Sequence, residues 1–262
     1  MNIYNRNVEI FKENRVLSET KYFAETCRMK EGTFFYEDAR LSIKEVKNRE
    51  KEQKISFIKD DTAHAGWESK LNNPTKRVGI LNFADALVPG GLVLYGEQTQ
   101  EEAICRSSNL YESLLLGKDF YYNYNRSLNS QLYSDRLIYS RDVLIFRNNF
   151  TGELYENPQY VDVITCPSTS TKLFNKNEFD ELLCNRIECI IKSAYANSLD
   201  IIVLGAWGCG AFGQSAKDMG VNFAKVLSKY NVFDEVVFAF VSLNNDNNYK
   251  DFSDGFKNKY ED

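Results

Sequence analysis

Two adjacent glutamates, Glu101 and Glu102, follow Gln100 at the predicted start of a helix. Acidic side chains in a first helical turn suit the helix dipole, which is the ordinary structural explanation for them. Neighbours on a helix point about 100° apart, so the two carboxylates would face different groups. One could hold sugar hydroxyls while the other acts as an acid at a glycosidic bond, because burial beside a like charge raises a carboxyl pKa.

Two glycine-rich turns could cradle a ligand near such a pair. Pro89-Gly90-Gly91 follows a predicted buried strand, and residues 205–213 form a loop with four glycines. Glycine lets backbone N–H groups approach a ligand closely, and a helix N-terminus favours a phosphate. The second loop lacks the Gly-Lys-Ser/Thr of a Walker pattern, and a tight turn that binds nothing explains it equally well.

Helices and strands that alternate along the chain must position these residues. Apolar runs predict strands at 78–84, 143–146, 161–165, 201–204 and 235–241, and helical spacing predicts helices at 7–30, 100–116, 179–194 and 219–227. Short strands are predicted at 41–46 and 54–58, a loop at 119–130, and a polar tail after 241. This order indicates one α/β domain with crossover connections.

Composition excludes several classes of function. The 262 residues carry a net charge of −5, which disfavours broad binding to nucleic acid or anionic membrane. No apolar run reaches the roughly 18 residues of a membrane span, and no signal core opens the chain, so a cytoplasmic location is expected. The single histidine, His64, excludes a histidine-rich metal site, and the six cysteines show no CxxC spacing. We therefore expect no metal, and we interpret His64 as a loop or surface residue.

Aromatic residues near the predicted loops have two possible explanations. The tyrosines at 121, 122, 124, 133 and 139 could line a ligand or protein contact, and Phe240 could border a planar base. Packing is the more common role of such side chains. We therefore interpret the tyrosines as part of a packed loop and Phe240 as a core residue.

Segments in a fixed order resemble the microbial-type poly(ADP-ribose) glycohydrolase family. They are 82–84 with 89–91 and 100–111, then 138–143, 161–165 and 204–212. The family signature is a glycine triplet, a spacer and Gln-Glu-Glu, and residues 15–32 resemble its N-terminal helical extension. The resemblance covers most of 15–241. It implies an α/β, macrodomain-like mixed sheet flanked by helices, with residues 1–40 as a helical extension packed on a 41–262 domain.

The resemblance implies hydrolysis of the ribose glycosidic linkage in poly(ADP-ribose) or a related conjugate, with release of ADP-ribose. Glu102 matches the catalytic acid, and Glu101 matches the residue that holds the ribose hydroxyls. The residues implied to bind substrate are Asn82, Asp85, Gly90, Gly91, Leu92, Gln100, Gly208, Cys209, Gly210, Ala211 and Phe212. The glycine loops would surround the diphosphate and the distal ribose, and Phe212 would pack over the ribose. The implied enzyme needs no cofactor and acts as a monomer on ADP-ribose carried by a modified protein or nucleic acid.

Two positions depart from the family pattern. Leu92 stands where the third glycine of the triplet is expected, and Asp85 stands where Asn or Ser is common. A carboxylate at 85 adds negative charge near Glu102 and near a bound diphosphate. These departures leave open an ADP-ribose-binding reader module with weak or no turnover, or a hydrolase of mono-ADP-ribosylated protein or nucleobase. Hydrolysis of a free nucleotide built on ADP-ribose is a third possibility.

Overall fold

A seven-stranded mixed sheet forms the centre of the computed structural model, which describes residues 2–169, 176–241 and 247–260. The strands are β1 (Thr33–Tyr36), β2 (Lys54–Ile58), β3 (Val78–Ala84), β4 (Leu137–Arg147), β5 (Leu154–Pro167), β6 (Ile201–Gly205) and β7 (Glu235–Ala239). Their order is β1-β4-β5-β3-β6-β7-β2. The β1–β4 and β4–β5 pairs are antiparallel and the other pairs are parallel. The expected macrodomain-like mixed sheet is confirmed.

Helices cover both faces of the sheet. They are α1 (Ile3–Glu19), α2 (Phe23–Glu31), α3 (Ala39–Ser42), α4 (Thr62–Asn72), α5 (Gln100–Ser107), α6 (Leu110–Leu114), α7 (Tyr124–Ser127), α8 (Lys176–Ala196), α9 (Ala216–Leu227) and α10 (Asn248–Tyr260). Successive residues of a strand point to opposite faces, so β3 feeds two cores. Leu81 packs with α8 and α9, while Ile80 packs on the side of α4 and α5.

Three local predictions are wrong. Residues 41–46 do not form a strand: α3 ends at Ser42, and irregular chain follows. Residues 119–130 are mostly helical, with a π-helix at Lys118–Asn123 followed by α7. The polar tail contains α10, which buries Phe252 and Phe256 in the main core. These two aromatic residues lie four apart and form one helical face, a signal that the Asn- and Asp-rich composition obscured.

The N-terminal segment is not wholly helical. Residues 33–36 form β1, which pairs with the beginning of β4 at one edge of the sheet. The division of the chain at residue 40 stays a prediction. Within residues 2–169, 176–241 and 247–260, no helix combines the length and the apolar character that a membrane crossing requires.

The strand directions decide where a site can form. The parallel strands β3, β6 and β7 end at the same edge of the sheet, and β4 begins there because it runs opposite to β5. Ligands bind at the carboxyl ends of strands in open α/β sheets. The Gln-Glu-Glu segment and the glycine loop after β6 therefore meet at one edge.

Candidate active site

Helix α5 carries the two glutamates and is fixed directly to β3. The Gln100 side chain accepts a hydrogen bond from the Phe83 N–H at 2.8 Å and donates one to the Leu81 carbonyl at 2.7 Å. Gln100 thus positions the helix, and its side chain also lies on the wall of the adjacent cleft. Its role in binding substrate stays a prediction.

Glu101 and Glu102 are both buried, at 2% and 4% exposed. Glu101 accepts hydrogen bonds from the Asp85 N–H at 2.7 Å and from the Asn82 amide at 3.2 Å. Glu102 accepts one from the Leu92 N–H at 2.8 Å and one from the Thr99 hydroxyl. Buried carboxylates need such donors, since an unpaired charge away from water is costly. The structure therefore brings together five predicted site residues. They are the two acids Glu101 and Glu102 and the three residues that donate to them, Asn82, Asp85 and Leu92.

Gly91 lies against both carboxylates with a φ of +56°. A Cβ there would collide with the Glu102 carboxylate and lie 3.3 Å from Glu101 Oε2. Glycine is required for both the left-handed backbone and the close approach. Gly90 is similar, with a φ of +68°, and a Cβ there would meet the Tyr111 ring at 2.8 Å.

The two departures from the family pattern have local explanations. Asp85 Oδ1 accepts hydrogen bonds from the Leu87 N–H at 2.6 Å and the Val88 N–H at 3.0 Å, so its carboxylate stabilises the turn that leads to Gly90. Leu92 presents its backbone N–H to Glu102, while the residue as a whole is 47% exposed. The Leu92 side chain therefore does not displace Glu102, to which the Leu92 backbone N–H donates.

Burial raises the pKa of Glu101 well above its ordinary value of 4.5, and the nearby charges of Glu102 and Asp85 raise it further. Glu101 therefore retains its proton at higher pH than exposed glutamates do. Asn82 Oδ1 is buried without a hydrogen-bond partner among the described residues. An inverted Asn82 amide would let that oxygen accept the Glu101 proton.

The donors to Glu102 suit an acid that changes its protonation state. A hydroxyl both donates and accepts, so the Thr99 hydrogen bond can reverse when Glu102 gains a proton. Thr99 and Glu102 also have the spacing of a capping box, in which the glutamate would bond the Thr99 N–H. In this structure the Glu102 carboxylate accepts a hydrogen bond from the Leu92 N–H instead.

We expect replacement of Glu101 by Gln to change how stability depends on pH. The unfolded chain loses the Glu101 proton near pH 4.5 while the folded chain keeps it, so folded wild-type protein loses stability as pH rises above that value. Glu101→Gln removes this loss. Its Tm relative to wild type should therefore increase as the pH rises above about 4.5, by about 2–4 °C for each kcal/mol of stability that the wild type loses. Thermal denaturation at several pH values measures the difference.

Glu156→Gln is the matched control, because Glu156 is exposed on β5 and should show no such trend. A Tm difference between Glu101→Gln and wild type that is constant across this range would contradict a retained proton on the buried pair.

The glycine loop after β6 presents backbone donors at the same edge. The N–H groups of Gly210, Ala211 and Phe212 have no acceptor among the described residues, and Gly210 and Ala211 are exposed. The Cys209 N–H differs, because it donates to the Ala206 carbonyl at 3.1 Å. Free N–H groups in a loop can donate hydrogen bonds to an anionic oxygen.

Gln214 fixes this loop to the end of β5. Its side-chain amide donates to the Ser168 hydroxyl at 2.8 Å and to the Thr169 carbonyl at 2.5 Å. Its backbone N–H donates to the Gly208 carbonyl at 3.2 Å. Gly208 has a φ of +80°, and a Cβ there would meet the Gln214 amide at 2.7 Å. Gly208 therefore permits a close contact within the protein.

A cleft of about 620 Å³ opens beside these groups at the ends of β3, β6 and β7. Among the predicted site residues, Gln100 and Gly210 line it, while Glu101 and Glu102 are not among its lining residues. The residues that the sequence analysis did not assign to the site include Asp61, Phe83, Arg106 and Phe240. Phe240 is 4% exposed, so it belongs to the core as predicted and also borders the cleft.

Asp61 is the most informative of these additional residues. It begins α4 by accepting a hydrogen bond from the His64 N–H at 2.9 Å through Oδ1. Asp61 is 3% exposed, and its Oδ2 has no partner among the described residues. Burial raises its pKa. The sequence signal was an Asp-Thr helix start directly after a short strand, which is also an ordinary cap.

The single histidine is not the loop or surface residue that we expected. His64 lies in α4 with its side chain 27% exposed, and its Nδ1 is 2.5 Å from Asp60 Oδ2. This hydrogen bond raises the pKa of His64. The histidine thus supports the segment that carries Asp60 and Asp61 into the cleft.

Comparisons with known proteins agree with this geometry. Residues 4–148 match the model of the microbial-type PARG catalytic domain. The poly(ADP-ribose) glycohydrolase (PARG) of Thermomonospora curvata is 27% identical, with a TM-score of 0.87 over 96% of this chain and 100% of its own. The structure titled as that enzyme with the inhibitor ADP-HPD gives 27% identity and a TM-score of 0.86 over 95% and 99%. The Deinococcus radiodurans enzyme in complex with ADP-ribose gives 29% and 0.77 over 90% and 96%. Comparison with curated proteins found no match.

Proposed function

This chain belongs to the microbial-type poly(ADP-ribose) glycohydrolase family, and from that membership we propose that Glu102 is the acid with which it hydrolyses poly(ADP-ribose). The single observation that supports this role is a buried carboxylate pair packed against Gly91, at the sheet edge that also carries the glycine loop. Glu102 is the member of the pair whose hydroxyl partner, Thr99, can reverse its hydrogen bond.

The reaction breaks the bond between the anomeric carbon of one ribose and the oxygen of the next. Glu102 transfers its proton to that leaving oxygen, and positive charge develops at the anomeric carbon in an oxocarbenium-like transition state. Water then adds to this carbon, and its proton returns to the Glu102 carboxylate. Glu101 holds the ribose hydroxyls through hydrogen bonds. The products are free ADP-ribose and a polymer shortened by one unit.

The cleft and the glycine loop would bind the base and the diphosphate of an ADP-ribose unit. We place the planar base in the cleft, where Phe83 and Phe240 supply apolar surface and Asp61 Oδ2 can accept a hydrogen bond from an amino group. The diphosphate then lies along the free N–H groups of Gly210, Ala211 and Phe212. This arrangement brings the terminal ribose to Glu101 and Glu102. The Deinococcus radiodurans relative in complex with ADP-ribose supports the proposed ligand.

We also propose that the enzyme acts as a monomer in the cytoplasm on ADP-ribose polymer attached to protein, with nucleic acid as a second acceptor. All six cysteines are free thiols, which is usual for proteins of a reducing compartment.

The proposal is tested with purified protein and two substrates, poly(ADP-ribosyl)ated protein and mono-ADP-ribosylated protein. Mass spectrometry follows the release of ADP-ribose, and calorimetry measures ADP-ribose binding separately. We expect release from the polymer. Binding without release from either substrate would indicate a reader module, and release only from the mono-modified protein would identify a different acceptor linkage. Leu92→Gly and Asp85→Asn, measured in the same assays, test whether the two departures alter this preference.

A further inference from the structure

Tyr133 has an unusual backbone conformation close to the proposed site. It lies in the segment before β4 with a φ of +57°, a region that bulky side chains rarely adopt. Such conformations persist only where the surrounding structure holds them, and they concentrate at functional sites. A glycine or asparagine would occupy this position without the same strain. The strain therefore marks Tyr133 as a candidate functional residue.

A buried arginine holds this conformation. Arg186 of α8 is 1% exposed, and its Nη2 donates to the carbonyl oxygens of Leu132 and Tyr133, the second at 3.1 Å. Its Nε donates to Asp135 at 3.0 Å, and its Nη1 donates to the Pro167 carbonyl at 3.4 Å. One guanidinium thus connects the turn around Tyr133 to the end of β5. Only arginine has enough donors in a fixed planar arrangement for this set of acceptors.

The Tyr133 ring lies between the two halves of the site. Its centroid is 6.3 Å from that of Phe212 in the glycine loop, with the rings at 67°. Burial raises the pKa of the Tyr133 hydroxyl, and the nearby charge of Asp85 raises it further. The hydroxyl therefore remains protonated at neutral pH and can donate a hydrogen bond.

From this placement we propose that Tyr133 contacts the ribose–diphosphate part of ADP-ribose and that Arg186 is the positioning residue for it. The inference rests on the proposed function and adds a residue to the same site. The aromatic ring would pack on the sugar beside Phe212, and the phenol would donate to an oxygen of the ligand.

Tyr133→Gly separates this role from a structural one. Glycine suits the backbone at this position, so the variant should keep the wild-type Tm while its Kd for ADP-ribose rises about tenfold or more. Tyr133→Phe keeps the ring and should show a smaller increase. Ser198→Gly is the matched control: Ser198 also has a φ of +57°, and it is exposed in the turn after α8. Its Kd should equal that of the wild type.

Arg186→Lys tests the positioning role. We expect this variant to weaken ADP-ribose binding, and we expect Arg186→Lys combined with Tyr133→Gly to bind no more weakly than Tyr133→Gly alone. A merely structural arginine would instead give additive losses in Kd.

Calorimetry distinguishes failure of the Tyr133 inference from failure of the proposed function. Wild-type affinity in Tyr133→Gly overturns the inference, whether or not the protein hydrolyses polymer. Wild-type protein that binds ADP-ribose and releases none from polymer overturns the assigned hydrolysis, and the Kd comparison still decides the role of Tyr133. Wild-type protein that does not bind ADP-ribose overturns both.

Discussion

Glu102→Gln should lower the rate of ADP-ribose release from poly(ADP-ribose) by about 10²–10⁴-fold, the usual contribution of a general acid. Glutamine is nearly isosteric and can still accept from the Leu92 N–H, which wild-type Glu102 accepts at 2.8 Å. It cannot transfer a proton to the leaving oxygen. The loss should therefore appear in kcat, while Kd for ADP-ribose measured by calorimetry changes little.

Two further Glu→Gln variants serve as comparisons for this result. Glu101→Gln removes a group assigned to the ribose hydroxyls, so we expect its effect to include KM. Glu156→Gln, exposed on β5, should match the wild type in both constants. Turnover by Glu102→Gln at the wild-type rate would show that another group supplies the proton, and the raised pKa of Glu101 would make it the first alternative.

Gly91→Ala should be nearly as damaging, although it leaves every acidic residue in place. The new Cβ would collide with the Glu102 carboxylate, and the backbone would remain at a φ of +56°. We expect a loss of about 10²-fold in kcat, because displacing a reacting group by about 1 Å has an effect of that size. The left-handed backbone should also cost about 1–2 kcal/mol of stability. Steady-state kinetics and thermal denaturation measure the two effects separately.

Gly213→Ala distinguishes backbone strain from displacement of the acid. Gly213 has a φ of +65°, and a Cβ there would meet nothing within 4 Å. It should lose similar stability with a much smaller change in kcat. Equal losses of kcat in the two variants would indicate that strain, rather than the position of Glu102, limits turnover.

The strands at the centre of the fold were the most predictable elements. Strands β3 and β6 are buried on both faces, so their sequences are continuous apolar runs that periodicity detects well. The edge strand β1 was missed because each of its four residues is only partly buried and the segment is short. Helix α10 was missed because its apolar face consists of a few aromatic residues within a polar sequence.

The site was predictable where one short segment contains several functional groups. The Gln-Glu-Glu segment and the glycine loop are of this kind, and their residues lie at the expected edge of the sheet. Asp61 could not be assigned from the sequence because its pattern is that of an ordinary helix cap, and Arg186 could not because its contacts are distant in the chain. Arg186 binds carbonyl groups of residues 132, 133 and 167, and no local pattern relates a helical arginine to them. Tyr133 was named in the sequence analysis, but its positive φ could not be predicted, because tyrosine rarely adopts that conformation.

The order of strands also has a consequence for how the chain reaches its native state. Strand β2 occupies residues 54–58 at the edge of the sheet, and its partner β7 comes only at residues 235–239. A nascent chain emerging from a ribosome must therefore carry β2 without its partner until most of the polypeptide has been synthesised. Pairing across so long a loop is slow, because chain entropy must be lost before contacts form. The late addition of β7 makes this sheet a candidate for chaperone assistance during synthesis.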